Sequence, residues 1–179
     1  MKIDNWLEGH WALVLGASSG FGAEVSEALS EYGVNIIGVH LDRKGTMGNV
    51  EKIISKIESN GSKAKFFNIN AADEEKRNLV LNEMMSAIGN DEKKIKILLH
   101  SLAFGSLKPY LSKDSSSNVT QKNMEMTMDV MANSIVYWTQ GVVERSLFSS
   151  NARIYGMTSA GSRKIWPTYG PVSAAKSAL

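Results

Sequence analysis

The sequence predicts an α/β fold, a doubly wound parallel sheet in three α/β/α layers. Two observations carry that expectation. Short apolar, β-branched runs alternate with longer amphipathic stretches along the chain, and a glycine-rich segment joins the first run to the first stretch. The runs are Trp11–Leu15, Val34–Val39, Ala64–Ile69, Ile95–Leu99 and Ala152–Met157, each too short for a helix. Between them stand the helical patterns Ala23–Tyr32, Val50–Ser59, Glu74–Ile88 and one long stretch, about Met124–Leu147. Strands that take turns with helices need crossover connections, which lay helices on both faces of the sheet. The length predicts a single domain over residues 1–179.

The glycine segment reads Gly16-Ala17-Ser18-Ser19-Gly20-Phe21-Gly22, directly behind the first strand and directly ahead of the first helix. A strand turning through glycines into a helix aims free backbone N–H groups and the positive end of the helix dipole at one point, where a dinucleotide pyrophosphate binds. The expected sheet is therefore of the Rossmann type. The spacing GxxxGxG assigns Gly16 the tight turn, Gly20 the close approach of phosphate, and Gly22 the packing of helix on strand. Ser18 and Ser19 offer hydroxyls to the same oxygens, and Phe21 completes the cofactor-binding segment. The same residues fit G-x-S-x-G, the nucleophile elbow of hydrolases. An elbow, however, takes oxyanion donors from an earlier strand–helix connection, and only one strand precedes Ser18.

After the second strand, Asp42 suits the ribose 2′-OH of NAD, whereas Arg43 or Lys44 suits the 2′-phosphate of NADP. Two cations beside an acid that comes late after the strand favour NADP(H), with NAD(H) as the alternative. The polar stretch Ser112–Asn123 is the one long irregular connection and follows the fourth strand, where open parallel sheets place a ligand; it borders substrate or is a tolerated surface insertion. Met124, Met128, Met131 and Ile135 recur at helical spacing and predict a core or subunit-interface stripe.

Composition narrows the classes. The 179 residues are 43% hydrophobic and 21% charged, ordinary for a globular domain. A net charge of +2 gives no electrostatic footprint for nucleic acid or an anionic membrane. The lack of cysteine rules out disulfides, zinc–thiolate sites and cysteine nucleophiles, and His10, His40 and His100 are too scattered to predict a metal site. No apolar stretch is long enough to span a bilayer, and Met1–Trp11 lacks the basic start and apolar core of a signal peptide, so the expected location is the cytoplasm. Asn118-Val119-Thr120 matches the glycosylation pattern but, without export, reads as a polar loop.

On these residues and four further segments, the chain resembles the short-chain dehydrogenases/reductases, and among them the enoyl-acyl-carrier-protein reductases, over its whole length. Phe67-Asn68-Ile69-Asn70-Ala71-Ala72-Asp73 is similar to the family's adenine-binding segment, with Asn70 standing for the usual acid and Ala71 beside it. Leu98-Leu99-His100-Ser101-Leu102-Ala103-Phe104-Gly105 resembles the His-Ser-x-x-Phe form of enoyl reductases, which implies cofactor contacts at Ser101, Leu102 and Ala103. His100 itself reads as a hydrogen-bonded structural histidine. Thr158-Ser159-Ala160-Gly161 sets Ser159 where the family's serine bonds the substrate oxygen. Tyr169 stands seven residues before Lys176, the Tyr-x6-Lys of enoyl reductases; the tyrosine of most of the family falls four before the lysine, where this chain has Val172.

The resemblance implies NAD(P)H-dependent reduction of the trans-2 double bond of an enoyl-acyl-carrier-protein thioester in fatty acid synthesis. Tyr169 and Ser159 are then the donors to the thioester oxygen, and Lys176 holds the nicotinamide ribose. Two alternatives stay open: a 3-oxoacyl or ketone reductase of the same family, against which Val172 argues, and a non-catalytic NAD(P)-binding sensor or scaffold in which Tyr169 is a packed aromatic. The family asparagine that relays protons in ketone reductases falls at about Met131. The resemblance also implies a homotetramer, and a sixth strand, substrate loop and seventh strand past Leu179. The final helical stretch, begun at Pro171, has no cap or breaker, so the chain is expected to be truncated, and to bind cofactor without normal turnover if 179 residues is the whole product.

Overall fold

The computed structural model describes residues 5–88 and 92–179; residues 1–4, the start of the segment read above for a signal peptide, and residues 89–91 lie outside the described part. The strands are β1 (Trp11–Leu15), β2 (Asn35–His40), β3 (Ala64–Asn68), β4 (Ile95–His100) and β5 (Phe148–Gly156). The helices are α1 (Gly20–Ser30), α2 (Met47–Ser59), α3 (Glu74–Ile88), α4 (Gln121–Met128), α5 (Ser134–Glu144) and α6 (Gly170–Ala178). The strands form one sheet in the order β3-β2-β1-β4-β5, every neighbouring pair parallel.

The layering follows from the period of two in the strands. Trp11, Leu13 and Leu15 of β1 face one side of the sheet and Ala12 and Val14 the other, so β1 is buried throughout. On the second side α1 and α2 supply Ala23, Ile53 and Ile57. On the first, α3, α5 and α6 supply Val80, Leu81, Met84, Trp138, Val142, Val172 and Ala175. Each aliphatic side chain buried this completely stabilises the fold by about 1.5–3 kcal/mol. The expected three-layer Rossmann-type sheet is what the chain forms, and the carboxyl ends of β1, β2, β4 and β5 open on one crevice.

Two elements differ from expectation. The long helix Met124–Leu147 is three pieces: α4 begins three residues earlier, because Thr120 and Asn123 form a reciprocal capping box, and a π-helical turn, Asp129–Asn133, separates it from α5. In that turn the Ser134 N–H reaches back to the Asp129 carbonyl, which shifts the phase of the helix. Of the predicted stripe, Met131 is buried in the core and Met128 and Ile135 pack against it, while Met124 borders an open recess that Met128 also lines. Strand β5 begins at Phe148 instead of Ala152; the polar Ser149, Ser150 and Asn151 hid it, and its register slips against β4 between Ile95 and Ile97. Among the described residues no helix is long and apolar enough to cross a membrane, and no cluster of His, Asp or Glu is arranged to hold a metal.

Candidate active site

The glycine segment makes a closed loop against the end of β4. Gly16 has φ of +93°, and a Cβ there would lie 2.5 Å from the Ser101 carbonyl oxygen. At Gly22 a Cβ would stand 1.9 Å from the carbonyl oxygen of Gly16, the residue that follows β1, so only a glycine lets the first turn of α1 come this close to the end of that strand. Nothing lies within 4 Å of a Cβ at Gly20. Ser19 forms no side-chain cap, so the first N–H groups of α1 and the Ser19 hydroxyl face open space. That space is a crevice of about 320 Å³, walled by Gly16, Ser18, Ser19, Gly20 and Phe21 on one side and Ser101, Leu102, Ala103 and Phe104 on the other. A glycine cradle with unoccupied helix N–H groups fits the pyrophosphate of a nicotinamide dinucleotide.

At the adenosine end, Asp42 is tied down on several sides. It accepts hydrogen bonds from His40 Nδ1 at 2.9 Å and from Thr46 Oγ1 at 2.7 Å, and its backbone is paired with the Asn68 amide. Burial pulls the Asp42 pKa up, but hydrogen bonds from Ser18, Thr46 and His40 outweigh it and hold the carboxyl below its ordinary value. Among the described residues no imidazole hydrogen-bonds the Ser18 hydroxyl, and the nearby His40 is paired with Asp42, so the base that a nucleophile elbow requires is not at Ser18. Asn49 of α2 braces the loop from outside, Nδ2 donating to the Ser18 carbonyl at 2.8 Å. Arg43 and Lys44 are exposed and join no ion pair among the described residues. His40, Thr46 and Asn49 escaped sequence reading; the Asp42–Thr46 spacing across a turn was the available signal.

Asn70 uses its Oδ1 to accept from the Ala72 N–H at 3.0 Å, which leaves its NH₂ for an adenine edge. Ala71 is buried in the core and its carbonyl accepts from Trp138 Nε1, so the structure gives this residue to packing and does not bring its side chain to the crevice. Asp73 caps α3 through the Lys76 N–H, as its position after the strand predicts.

Phe21, Ser101, Leu102 and Ala103 continue into a second cavity of about 280 Å³, and here the three expected catalytic residues meet. Ser159, Tyr169 and Lys176 line it together with Gly105, Met131 and Val172. Tyr169 is the residue immediately before α6, with Pro171 in the first turn, and Lys176 lies two turns on. Lys176 is only 7% exposed; its Nζ donates to the Met157 carbonyl at 2.5 Å and to the Leu102 carbonyl at 3.2 Å. Burial lowers its pKa. Two carbonyls fix the ammonium and leave its third donor for a ligand in the cavity. Thr158 Oγ1 donates to the Lys176 carbonyl at 2.9 Å, fastening the end of β5 to α6.

His100 is fully buried behind this cavity. Ser134 Oγ donates to the Val130 carbonyl at 2.8 Å and therefore accepts from His100 Nε2 at 2.8 Å, which fixes the Nε2–H tautomer. Burial first, and the Lys176 charge second, lower its pKa to about 4. The histidine is a neutral strut, in keeping with its structural reading.

A parallel sheet of this order, with a glycine cradle, a buried lysine and a tyrosine at one crevice, is the arrangement of the dinucleotide-binding class of folds. A family model described as Enoyl-(Acyl carrier protein) reductase matches residues 16–179, and the chain belongs to that family, within the short-chain dehydrogenases/reductases. Among solved structures it is similar to a short-chain dehydrogenase/reductase from Serratia marcescens, with a TM-score of 0.80 and 18% identity over 97% of this chain and 65% of that one. It is similar also to FabI from Alistipes finegoldii, with a TM-score of 0.77 and 19% identity over 98% and 64%. A short-chain dehydrogenase from Salmonella enterica serovar Typhi gives a TM-score of 0.76 and 19% identity over 96% and 67%. At such identities the likeness is one of fold. The chain spans about 65% of the length of the Serratia structures it matches. No curated protein sequence matches it.

Proposed function

We propose that this chain carries the catalytic crevice of an NAD(P)H-dependent enoyl thioester reductase. The observation that carries the reading is Tyr169 in one cavity with Ser159 and Lys176, while Val172 occupies the position four before the lysine. When bound, the reduced nicotinamide supplies a hydride to the β-carbon of the enoyl group. Charge then develops on the thioester oxygen, and the Tyr169 and Ser159 hydroxyls are the groups placed to donate to it. Lys176, whose Nζ has two carbonyl partners among the described residues and so a third N–H to offer, holds the nicotinamide ribose and keeps positive charge beside the phenol. Ser101, Leu102 and Ala103 form the wall along which the cofactor lies.

In this reading the nucleotide is NADP(H). Asp42 is committed to His40 and Thr46, whereas Arg43 and Lys44 stand exposed beside it. NAD(H) is the second reading, favoured by the ionised carboxylate beside Ser18. Replacing Arg43 by Ala separates them: a loss of about tenfold or more in NADPH affinity with NADH unchanged supports the first. The proposed substrate is carried on acyl carrier protein in the cytoplasm, and the proposed assembly is a homotetramer.

The test is consumption of NADPH and NADH by the intact protein with crotonyl and acetoacetyl thioesters in parallel. Turnover of the crotonyl thioester is the expected result. Turnover of acetoacetyl alone moves the assignment to a ketoreductase, and turnover of neither, with nucleotide bound, leaves a sensor or scaffold.

A further inference from the structure

Tyr169 owes its place to a residue that carries no side chain. Gly161, in the short 3-10 turn Ala160–Ser162, is buried, and a Cβ built on it would stand 2.2 Å from Tyr169 Cε1 and 2.8 Å from Cδ1. The Cδ1–Cε1 edge of the phenol ring therefore packs directly against the backbone of this turn. Its φ is outside the left-handed region, so conformation does not call for glycine here; space does. The same position would set a Cβ 3.2 Å from Ser159 Oγ, and its N–H donates to that oxygen at 3.2 Å. A serine oxygen that accepts this N–H presents its own O–H elsewhere, and Ser159 lines the cavity. Trp166 also meets the Tyr169 ring, with centroids 5.3 Å apart and planes at 70°. Between them Thr168 holds φ of +63°, a strained value for a β-branched residue, which turns the chain so that Tyr169 faces Gly161.

Resting on the donor roles proposed above for Ser159 and Tyr169, we propose that Gly161 is a positioning residue for both, a floor for the phenol ring and a fixed N–H for the serine oxygen. A methyl group at this point pushes the ring off the floor by more than about 1 Å, which costs on the order of 100-fold where the displaced group acts in the transition state.

The test is a double-mutant cycle in the intact protein with Gly161→Ala and Tyr169→Phe. Gly161→Ala is expected to lower kcat by about 100-fold while NADPH affinity changes less than about twofold. In the Tyr169→Phe background the same change is expected to cost no more than about fivefold, because the hydroxyl it aims is gone. Full additivity overturns the proposal. A readout apart from activity is tryptophan emission: Gly161→Ala is expected to shift it, and the shift to vanish in Trp166→Phe; an unmoved spectrum overturns the proposal. If wild type turns over neither thioester, the function proposed above fails, yet the emission experiment still decides whether Gly161 seats the ring. Should Gly161→Ala melt early, adding Tyr169→Ala is expected to restore the melting temperature, and failure to restore it overturns the claim.

Discussion

The two walls of the crevice reach unusual backbone conformations by different means. In the wall built from β1 and α1 the positive φ angles belong to the glycines Gly16 and Gly20. In the wall built from β5 and α6 the positive φ among the described residues belongs to Thr168, next to Tyr169. The first wall makes its sharp turns with glycine, and the second makes its turn with a β-branched residue. A phosphate cradle needs bare backbone N–H groups, which glycine supplies at no steric cost. A reacting side chain needs one fixed direction, and β-branched or polar residues held in strained turns are stiffer.

Four substitutions break or sharpen this contrast. The largest effect belongs to the first wall. Gly22→Ala forces a methyl group into the Gly16 carbonyl, backbone against backbone, and is expected to lower NADPH affinity by about 100-fold or more and stability by about 3 kcal/mol. Nucleotide fluorescence titration and thermal melting check both.

In the second wall, Tyr169→Phe is expected to reduce kcat by about 100- to 1000-fold with nucleotide affinity unchanged. Steady-state kinetics beside a binding titration shows whether the two walls separate as holding and reacting parts.

His100 lies beneath both walls. Its pKa is held at about 4 in the fold against 6.5 ordinarily, so the unfolded chain takes a proton that the folded form refuses. The stability this gives is whole above about pH 6.5 and drains away as pH falls toward 4. It amounts to about 3 kcal/mol, and His100→Gln is expected to flatten that part of the pH–stability curve. Denaturant melts across this range, wild type against variant, measure the difference.

The smallest effect is Thr168→Gly, which makes the second wall like the first. Relief of the strained φ exceeds the added chain entropy slightly, so stability rises by up to about 1 kcal/mol. Turnover is expected to fall several-fold as the Tyr169 turn loosens, which pairs a gain in melting temperature with a loss in kcat.

The sequence made the first wall readable and the second only in part. Five apolar runs and the glycine spacing are local patterns, so β1, α1 and the cradle are visible in a short window of residues. Tyr169, Ser159 and Lys176 were reachable through resemblance, since Tyr-x6-Lys is a spacing as well. What stayed hidden depends on residues far apart in the chain. The π-helical turn follows no residue type in Asp129–Asn133. The tie of Asp42 to His40 and Thr46 and the seat of Tyr169 on Gly161 exist only once the chain has folded.

The hydrogen bond from His100 to Ser134 has a use as a clock. Its Nε2 proton is sealed from water and sits where β4 meets the first turn of α5, so it exchanges with deuterium only when that junction opens. One imidazole N–H resonance thus times the opening of the layer behind the crevice, and slower exchange with dinucleotide present measures how far ligand binding tightens the interior.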